Sequence, residues 1–232
     1  MPDLGNRLVS FGAATNLLRG GYRPRVLITG ACGGFGRDCA EALFLHGAEL
    51  ILCDKDISGV RALAEELGAT GLHCDVASEA GVMALVAEFP GQNASLDMII
   101  NAAGGGYERT LGMYRVSRAL LPALRQDGHT LLVNIPPSTA DGDKAIFPYA
   151  SSAFAFHRLS AALAFETRGT PVRVLIGCPA SGRVTEVLPD PNGGRWADSC
   201  NIRPARLDGV RTLARQVAAL LDGDASISRR AS

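Results

Sequence analysis

The feature that most constrains this chain is the stretch Arg25–Gly36, in which an apolar, partly β-branched run ends in a glycine-rich loop that opens into a helical pattern. Gly30, Gly34 and Gly36 have the spacing G-x-x-x-G-x-G. Glycines so placed let the backbone turn sharply, admit a phosphate group and pack the following helix closely. The N-terminus of that helix offers free N–H groups and a positive dipole end. The stretch therefore predicts a nucleotide-binding strand, loop and helix.

Short apolar strands alternate with longer helical patterns from Arg25 onward, which indicates a parallel sheet covered on both faces. We predict strands at Val26–Thr29, Leu50–Cys53, Gly71–Cys74, Met98–Asn101, Leu131–Ile135 and Val172–Gly177. We predict helices at Gly36–His46, Gly59–Leu67, Glu79–Phe89, Arg109–Arg125, Tyr149–Thr167 and Leu207–Leu221. The expected fold is a single-domain α/β protein with a doubly wound, Rossmann-like parallel sheet in three layers (αβα). Right-handed crossovers place the carboxyl ends of the strands, and the expected functional site, at one rim.

The domain boundaries follow from the same patterns. The 232 residues fit one well-buried α/β domain. We divide the chain into an N-terminal arm at 1–24, a dinucleotide-binding domain at 25–222 and a flexible tail at 223–232. The arm lacks the continuous apolar core of a signal peptide, and we expect it to fold onto the body or onto a second subunit. A peripheral membrane anchor is less favoured because the arm has few basic residues.

Charge and cysteine usage exclude several classes of function. Lys+Arg and Asp+Glu balance at 23 each, so nucleic acid and anionic membranes are not indicated as partners. The six cysteines are scattered without a metal-ligand spacing, which predicts no metal site and a cytoplasmic location with reduced thiols. Cys32 lies in the glycine loop, where a helix N-terminus could lower the pKa of its thiol. An unreactive small loop residue is the favoured interpretation.

Asp54 ends the second predicted strand, where a carboxylate can accept hydrogen bonds from both hydroxyls of an adenosine ribose. The same carboxylate would repel a 2′-phosphate, and Gly33 supplies no cation to hold one. NAD is therefore favoured over NADP as the cofactor. Lys55 weakens that preference, because a lysine beside Asp54 could turn toward a phosphate.

Several motifs resemble those of the short-chain dehydrogenase/reductase family. They are Thr29–Gly36 (TGACGGFG), Cys74–Val76 (CDV), Asn101–Gly104 (NAAG), Val133–Ile135 (VNI) and Pro148–Ser152 (PYASS). The likeness extends from about Arg25 to Leu221. The resemblance implies nicotinamide dinucleotide binding by Gly30, Cys32, Gly34, Phe35, Gly36, Asp54, Asp75, Val76, Asn101, Ala102, Ala103 and Gly104.

The resemblance also implies a catalytic serine, tyrosine, lysine and asparagine, and the chain departs from that pattern. Tyr149 occupies the tyrosine position, but the lysine position four residues later is Ala153. The serine position is Pro137, with Ser138 one residue out of register, and the asparagine position is Arg109. Tyr149 and Ser138 are thus the candidate catalytic residues, and we expect weak or absent classical activity.

Two functions stay open from the sequence. The first is a non-catalytic NAD(H)-binding protein, and the alternative is an atypical NAD-dependent oxidoreductase that reduces a small carbonyl ligand, with Tyr149 as acid and Ser138 as carbonyl anchor. A cofactor-free lyase or isomerase using Tyr149 is a weaker third idea. Arg109 either binds a carboxylate or phosphate, or is a solvated residue at a helix start. His157 is better interpreted as an interface or surface residue than as a catalytic one.

Two further expectations concern the surface. The Gly- and Pro-rich segment Pro179–Pro204 is long enough to act as a lid over a substrate. The chain also lacks the family's closing strand, which predicts an unfinished edge of the sheet. The apolar helices at 109–125 and 149–167 correspond to the family's dimer contact, so we expect a homodimer through them.

Overall fold

A computed structural model describes residues 22–89, 95–124, 126, 130–136, 146–179, 182–187 and 207–222. It describes only the backbone for 146–151, 207–210 and 222. Residues 1–21 of the predicted arm and the predicted tail lie outside the described residues. Tyr22, at the end of the arm, donates a hydrogen bond from its hydroxyl to Asp97 at 2.6 Å. The start of the described chain is thereby tied to the sheet.

Seven strands form one sheet within the described residues, in the order β3-β2-β1-β4-β5-β6-β7. The strands are β1 (Arg25–Thr29), β2 (Glu49–Asp54), β3 (Thr70–His73), β4 (Met98–Asn101), β5 (Thr130–Asn134), β6 (Val172–Cys178) and β7 (Arg183–Glu186). The helices are α1 (Gly34–Leu45), α2 (Ile57–Leu67), α3 (Glu79–Glu88), α4 (Gly106–Leu120), α5 (Ile146–Glu166) and α6 (Leu207–Ala219). The predicted doubly wound α/β fold is confirmed.

The core consists of two apolar layers, one on each face of the sheet. Successive residues of a strand point to opposite faces, so Val26 and Ile28 pack in one layer and Leu27 packs in the other. The first layer contains buried residues of α1, α2 and α6, and the second contains those of α3, α4 and α5. Both faces are therefore covered, as the apolar strands require.

The strand order reverses beside β1. Thr29, its last residue, lies opposite Cys53 of β2 on one side and Asn101 of β4 on the other. The chain passes from β1 toward β2 and β3 and then returns to place β4 on the other side. Such a reversal opens a crevice at the carboxyl ends of the strands, where doubly wound proteins bind their ligands.

The segment that we predicted to be a lid contains a strand. Arg183–Glu186 forms β7, which pairs antiparallel with β6 and covers its outer edge. The prediction of an unfinished edge is therefore wrong, because the chain reverses immediately after β6. Arg173 of β6 donates two hydrogen bonds to the Glu186 carboxylate, at 2.9 and 2.8 Å, and fixes the register. Residues 188–204 of the predicted lid lie outside the described residues.

Helix α4 also begins earlier than predicted, at Gly106 instead of Arg109. Gly105 and Gly106 have φ angles of +100° and +74°, which side chains other than glycine rarely adopt. They let the chain turn from β4 into the helix within residues 102–105. The helix ends at Leu120, and a short 3₁₀ turn containing Pro122 follows.

The start of α1 packs directly against the preceding loop. A Cβ atom at Gly36 would lie 2.1 Å from the carbonyl oxygen of Gly30, whereas a Cβ atom at Gly34 would meet no atom within 4 Å. Both glycines belong to the motif that predicted the loop. Only Gly36 is required by the contacts within the protein itself.

We predict opposite effects of two alanine substitutions in α1. Gly36→Ala should lower the free energy of unfolding by about 2 kcal/mol or more, because backbone must move to admit the methyl group. Gly34→Ala, the matched control, should leave it unchanged or raise it by up to about 1 kcal/mol, because alanine favours helix more than glycine. Urea unfolding measures both. Equal unfolding free energies for the two variants would contradict the packing described above.

Candidate functional site

A cleft of about 290 Å³ opens at the carboxyl ends of β1 to β4, at the reversal in strand order. Glycine and alanine backbone, two carboxylates, two cationic side chains and two thiols line it. The lining residues are Gly30, Cys32, Gly33, Asp54, Lys55, Cys74, Asp75, Val76, Ala102, Ala103, Gly104 and Arg109.

The glycine loop forms the floor of this cleft. Gly30 has a φ angle of +69°, and a Cβ atom there would lie 2.6 Å from both the nitrogen and the Cα of Ala103. The loop is held to β2 by two backbone donors: Ala31 N–H to the Cys53 carbonyl at 3.1 Å, and Cys32 N–H to the Asp54 carboxylate at 2.9 Å. The loop is thus fixed from both neighbouring strands.

The N-terminus of α1 follows this loop without a side-chain cap. Gly33 is its N-cap residue and has no side chain that could accept hydrogen bonds from the first turn. The first N–H groups of a helix have no partner within the helix, and they carry the positive end of its dipole. A diphosphate fits such a cradle, because it supplies the acceptors and the negative charge.

The Asp54 carboxylate is oriented by the backbone on both of its oxygens. Oδ2 accepts from Cys32 N–H at 2.9 Å, and Oδ1 accepts from Asp56 N–H at 3.0 Å. Each carboxylate oxygen can accept a second hydrogen bond. The half-buried carboxylate therefore keeps the capacity to accept from ribose hydroxyls, and that role stays a prediction.

Burial and neighbouring carboxylates disfavour the thiolate form of Cys32. Burial first, and then the charges of Asp54 and Asp56, raise its pKa from 9.0 to about 11. The hypothesis of a low-pKa thiol at the start of α1 is therefore wrong. Cys74 lines the same cleft, and burial followed by the charge of Asp75 raises its pKa to about 11 as well.

The wall beyond β3 is a tight turn. The Asp75 carboxylate accepts from Ala77 N–H at 3.1 Å, and the Asp75 carbonyl accepts from Ser78 N–H at 3.0 Å. Helix α4 packs against this turn, since a Cβ atom at Gly112 would lie 2.2 Å from the Val76 carbonyl oxygen. Val76 is thereby held at the cleft between the turn and α4.

The structure brings eight of the twelve predicted cofactor residues to the cleft. Gly34, Phe35, Gly36 and Asn101 are the four that do not line it. The first three form the first turn of α1, and Phe35 packs against the core. Cofactor contact by any of the twelve stays a prediction. Gly33 and Cys74 also line the cleft and were not among the twelve, although both lie within the motifs Thr29–Gly36 and Cys74–Val76.

Asn101 belongs to a buried polar network instead of the cleft. It is 3% exposed, and its Nδ2 donates to Ser117 Oγ at 2.8 Å and to Asn134 Oδ1 at 2.9 Å. Asn134 Nδ2 in turn donates to Ser160 Oγ at 3.1 Å. The network joins β4 and β5 to α4 and α5. The network therefore holds α4 and α5 against the sheet, and α5 carries the predicted catalytic residue Tyr149.

The predicted catalytic centre is only partly within the described residues. Tyr149 lies in the first turn of α5, where the backbone alone is described, and Ala153 follows one turn later as a half-buried methyl group. Pro137 and Ser138 lie outside the described residues. Burial lowers the pKa of His157, whose Nδ1 is buried without a partner among the described groups.

Two classes of site find no support in the part of the chain that the structure describes. No group of three or more His, Cys, Asp and Glu side chains there could hold a metal ion. No helix within the same residues is long and apolar enough to cross a membrane.

We predict slow alkylation of Cys32. A pKa of about 11 instead of 9.0 lowers the thiolate fraction near pH 8 about a hundredfold. Because a thiolate of higher pKa is also the stronger nucleophile, the rate falls less than the thiolate fraction, and iodoacetamide should modify Cys32 about tenfold more slowly than a free thiol of ordinary pKa, as followed by peptide mass spectrometry. Asp54→Asn should speed the reaction, because it removes one of the charges that raise the pKa. Rapid labelling of the unchanged protein would contradict this electrostatic account.

Comparisons with known proteins agree with this geometry. The family model described as short chain dehydrogenase matches residues 24–111. The chain is 32% identical over 178 residues to L-fucose dehydrogenase of Oryctolagus cuniculus, a match that covers 68% of this chain and 62% of that enzyme. The chain thus spans less than two thirds of that relative's length. Oxidoreductase UcpA of Salmonella typhimurium is 32% identical over 177 residues, covering 66% of this chain and 67% of that protein.

Solved structures show the same likeness. The Pseudomonas aeruginosa RhlG/NADP active-site complex has a TM-score of 0.67 and 26% identity, and covers 89% of this chain and 92% of that one. The 3-ketoacyl-(acyl-carrier-protein) reductase of Brucella melitensis, complexed with NADH, has a TM-score of 0.60 and 26% identity, over 69% and 77% of the two chains. The glycine cleft, the strand order and the relatives all agree. This chain belongs to the short-chain dehydrogenase/reductase family of oxidoreductases, which bind a nicotinamide dinucleotide on a Rossmann fold.

Proposed function

We propose that this protein binds NAD(H) and has weak or absent classical reductase activity. The observation that carries the proposal is Ala153, a methyl group one turn after Tyr149 in α5, in a molecule whose glycine cleft is intact. When bound, the nicotinamide ring would supply or accept a hydride. The chain keeps Tyr149, the residue expected to move the accompanying proton, but departs from the family pattern at Pro137, where a serine would orient the carbonyl, and at Ala153, where a lysine would lower the pKa of the tyrosine.

The absence of a lysine at position 153 lowers the expected rate of proton transfer by Tyr149. An unassisted tyrosine has a pKa of about 10, so about one molecule in a thousand carries a phenolate near neutral pH. Alcohol oxidation needs that phenolate as a base. Positioned acid–base catalysis contributes about 10² to 10⁴ in rate. The chain's own side chains therefore support binding better than turnover.

The preference for NAD over NADP rests on Asp54. Both of its oxygens are oriented by backbone N–H groups, so the carboxylate cannot turn away from the cleft without breaking two hydrogen bonds. A fixed negative charge at that position disfavours a 2′-phosphate. Lys55, which is exposed and also lines the cleft, would favour a 2′-phosphate and so weaken the preference for NAD.

We predict that NADH binds at least about tenfold more tightly than NADPH, as measured by calorimetry.

Ala153→Lys should add NADH-dependent turnover across a panel of small carbonyl compounds, because it restores the cation beside Tyr149. Ala155→Lys, two residues further along α5, is the matched control and should add none. Failure of the unchanged protein to bind either dinucleotide would overturn the proposal.

A second candidate is an atypical NAD-dependent oxidoreductase that reduces a small carbonyl compound. The position of Tyr149 in the first turn of α5 favours it, because carbonyl reduction requires only a protonated phenol. In that case Ser138 would hold the carbonyl. The unchanged protein would then consume NADH with some member of the panel, and Tyr149→Phe would abolish this without affecting NADH binding.

We further propose a homodimer through the helices at 109–125 and 149–167, as the family resemblance implies. Phe154 of α5 is 65% exposed, with the Arg158 guanidinium 5.3 Å from its ring centre. Phe165, at the other end of α5, is also exposed, and the Arg168 guanidinium lies 3.9 Å from its ring. Aromatic and arginine side chains are enriched in protein interfaces.

Phe154→Glu should convert the dimer to a monomer, because it places a charge in the proposed interface. Light scattering after gel filtration gives the mass directly. Phe44→Glu is the matched control: Phe44 is 39% exposed on α1, which packs on the other face of the sheet, and its substitution should leave the mass unchanged. A monomeric mass for the unchanged protein would refute the dimer.

A further inference from the structure

The short connection between β4 and α4 brings an arginine into the cleft. Only residues 102–105 separate the strand from the helix, so α4 begins at the rim of the sheet. Arg109, in the first turns of α4, is half-buried and lines the cleft together with Val76 and Gly104. The family resemblance implies a catalytic asparagine at this position. The structure instead places the side chain at the nucleotide cleft.

The backbone around Gly104 and Gly105 fixes the position of the Arg109 guanidinium. Its Nη1 donates to the Gly104 carbonyl at 2.7 Å. A Cβ atom at Gly105 would lie 2.9 Å from that same nitrogen, so the absence of a side chain at Gly105 makes room for the guanidinium. One hydrogen bond uses one of the five N–H donors of arginine and leaves its planar face for other contacts.

Helix α4, which carries Arg109, packs on the opposite face of the sheet from α1, whose N-terminus forms the phosphate cradle. The glycine loop leads into α1, which packs in the apolar layer on one face, whereas α4 packs in the layer on the other. Arg109 and Gly112 lie three residues apart on one face of α4, and Gly112 packs against the Val76 carbonyl. Arg109 and Val76 therefore line the cleft from the side of α4, while the N-terminus of α1 offers its free N–H groups from the other side.

A flat, weakly hydrated cation beside small apolar groups suits a nucleobase. Guanidinium groups stack on aromatic faces, and Val76, Ala102 and Ala103 offer apolar contacts in the same cleft. We propose that Arg109 stacks on the adenine ring of the bound dinucleotide and is a cofactor-binding residue particular to this chain. This inference rests on the proposed binding of NAD(H). A salt bridge from Arg109 to the diphosphate is the competing arrangement.

Titrations with adenosine, ADP and NADH separate these two arrangements, because adenosine has the base but no phosphate. Stacking predicts that Arg109→Ala weakens binding of all three by the same factor, about fivefold to tenfold. A salt bridge to the diphosphate predicts weakening for ADP and NADH alone, and that result would overturn the proposal. Unchanged affinity for all three would overturn it as well.

Arg118→Ala is the matched control. Arg118 lies on the same helix, is 63% exposed and pairs with Glu166 of α5, and it does not line the cleft, so all three affinities should stay unchanged. Arg109→Lys keeps the charge and provides a second test should Arg109→Ala fail to fold; it should also weaken adenosine binding, because an ammonium group lacks the planar face. If the unchanged protein does not bind NADH, the proposed function fails, whereas normal NADH binding by Arg109→Ala refutes only this inference.

Discussion

The close approach of three backbone segments at the end of β1 is the contact on which the rest of the site depends. Gly30 meets Ala103 with no room for a side chain, and Gly36 meets the Gly30 carbonyl in the same way. These contacts bring the loop after β1, the first turn of α1 and the end of β4 together around one cavity. Asp54 then fixes the loop from the other side through the Cys32 N–H. The lining residues of the glycine loop and of the end of β4 take their positions from this arrangement.

The two halves of the molecule differ in how much of the family's chemistry they retain. The half formed by β1 to β4 keeps a glycine cradle, an oriented carboxylate and a tight turn after β3 that lines the same cleft. The half that leads into α5 keeps its structural amide network through Asn134 and Ser160, but has alanine at the lysine position. Binding geometry and proton transfer are built by different elements, so the second can be lost while the first persists. This separation is why binding and turnover are distinct hypotheses for this chain.

The sequence predicted six of the seven described strands and the motifs around the cleft, because buried parallel strands are apolar and a glycine loop has a characteristic spacing. It missed β7, whose four residues lie in a Gly- and Pro-rich segment and are fixed by pairing with β6. The pKa of Cys32 depends on burial in the folded chain and on carboxylates more than twenty residues away, neither of which local sequence reveals. The direction of Arg109 stayed open because the backbone of Gly104 and Gly105 determines it.

The reversed direction of β7 changes the order in which the sheet can be assembled. A hairpin brings together residues that are near neighbours in sequence, so closing it costs little loop entropy and its contacts form quickly. The outer margin of this sheet therefore depends on a local event between β6 and β7, reinforced by the Arg173–Glu186 ion pair. The edge of β6 is thus kept from unwanted pairing with other chains by the segment that follows it directly in sequence.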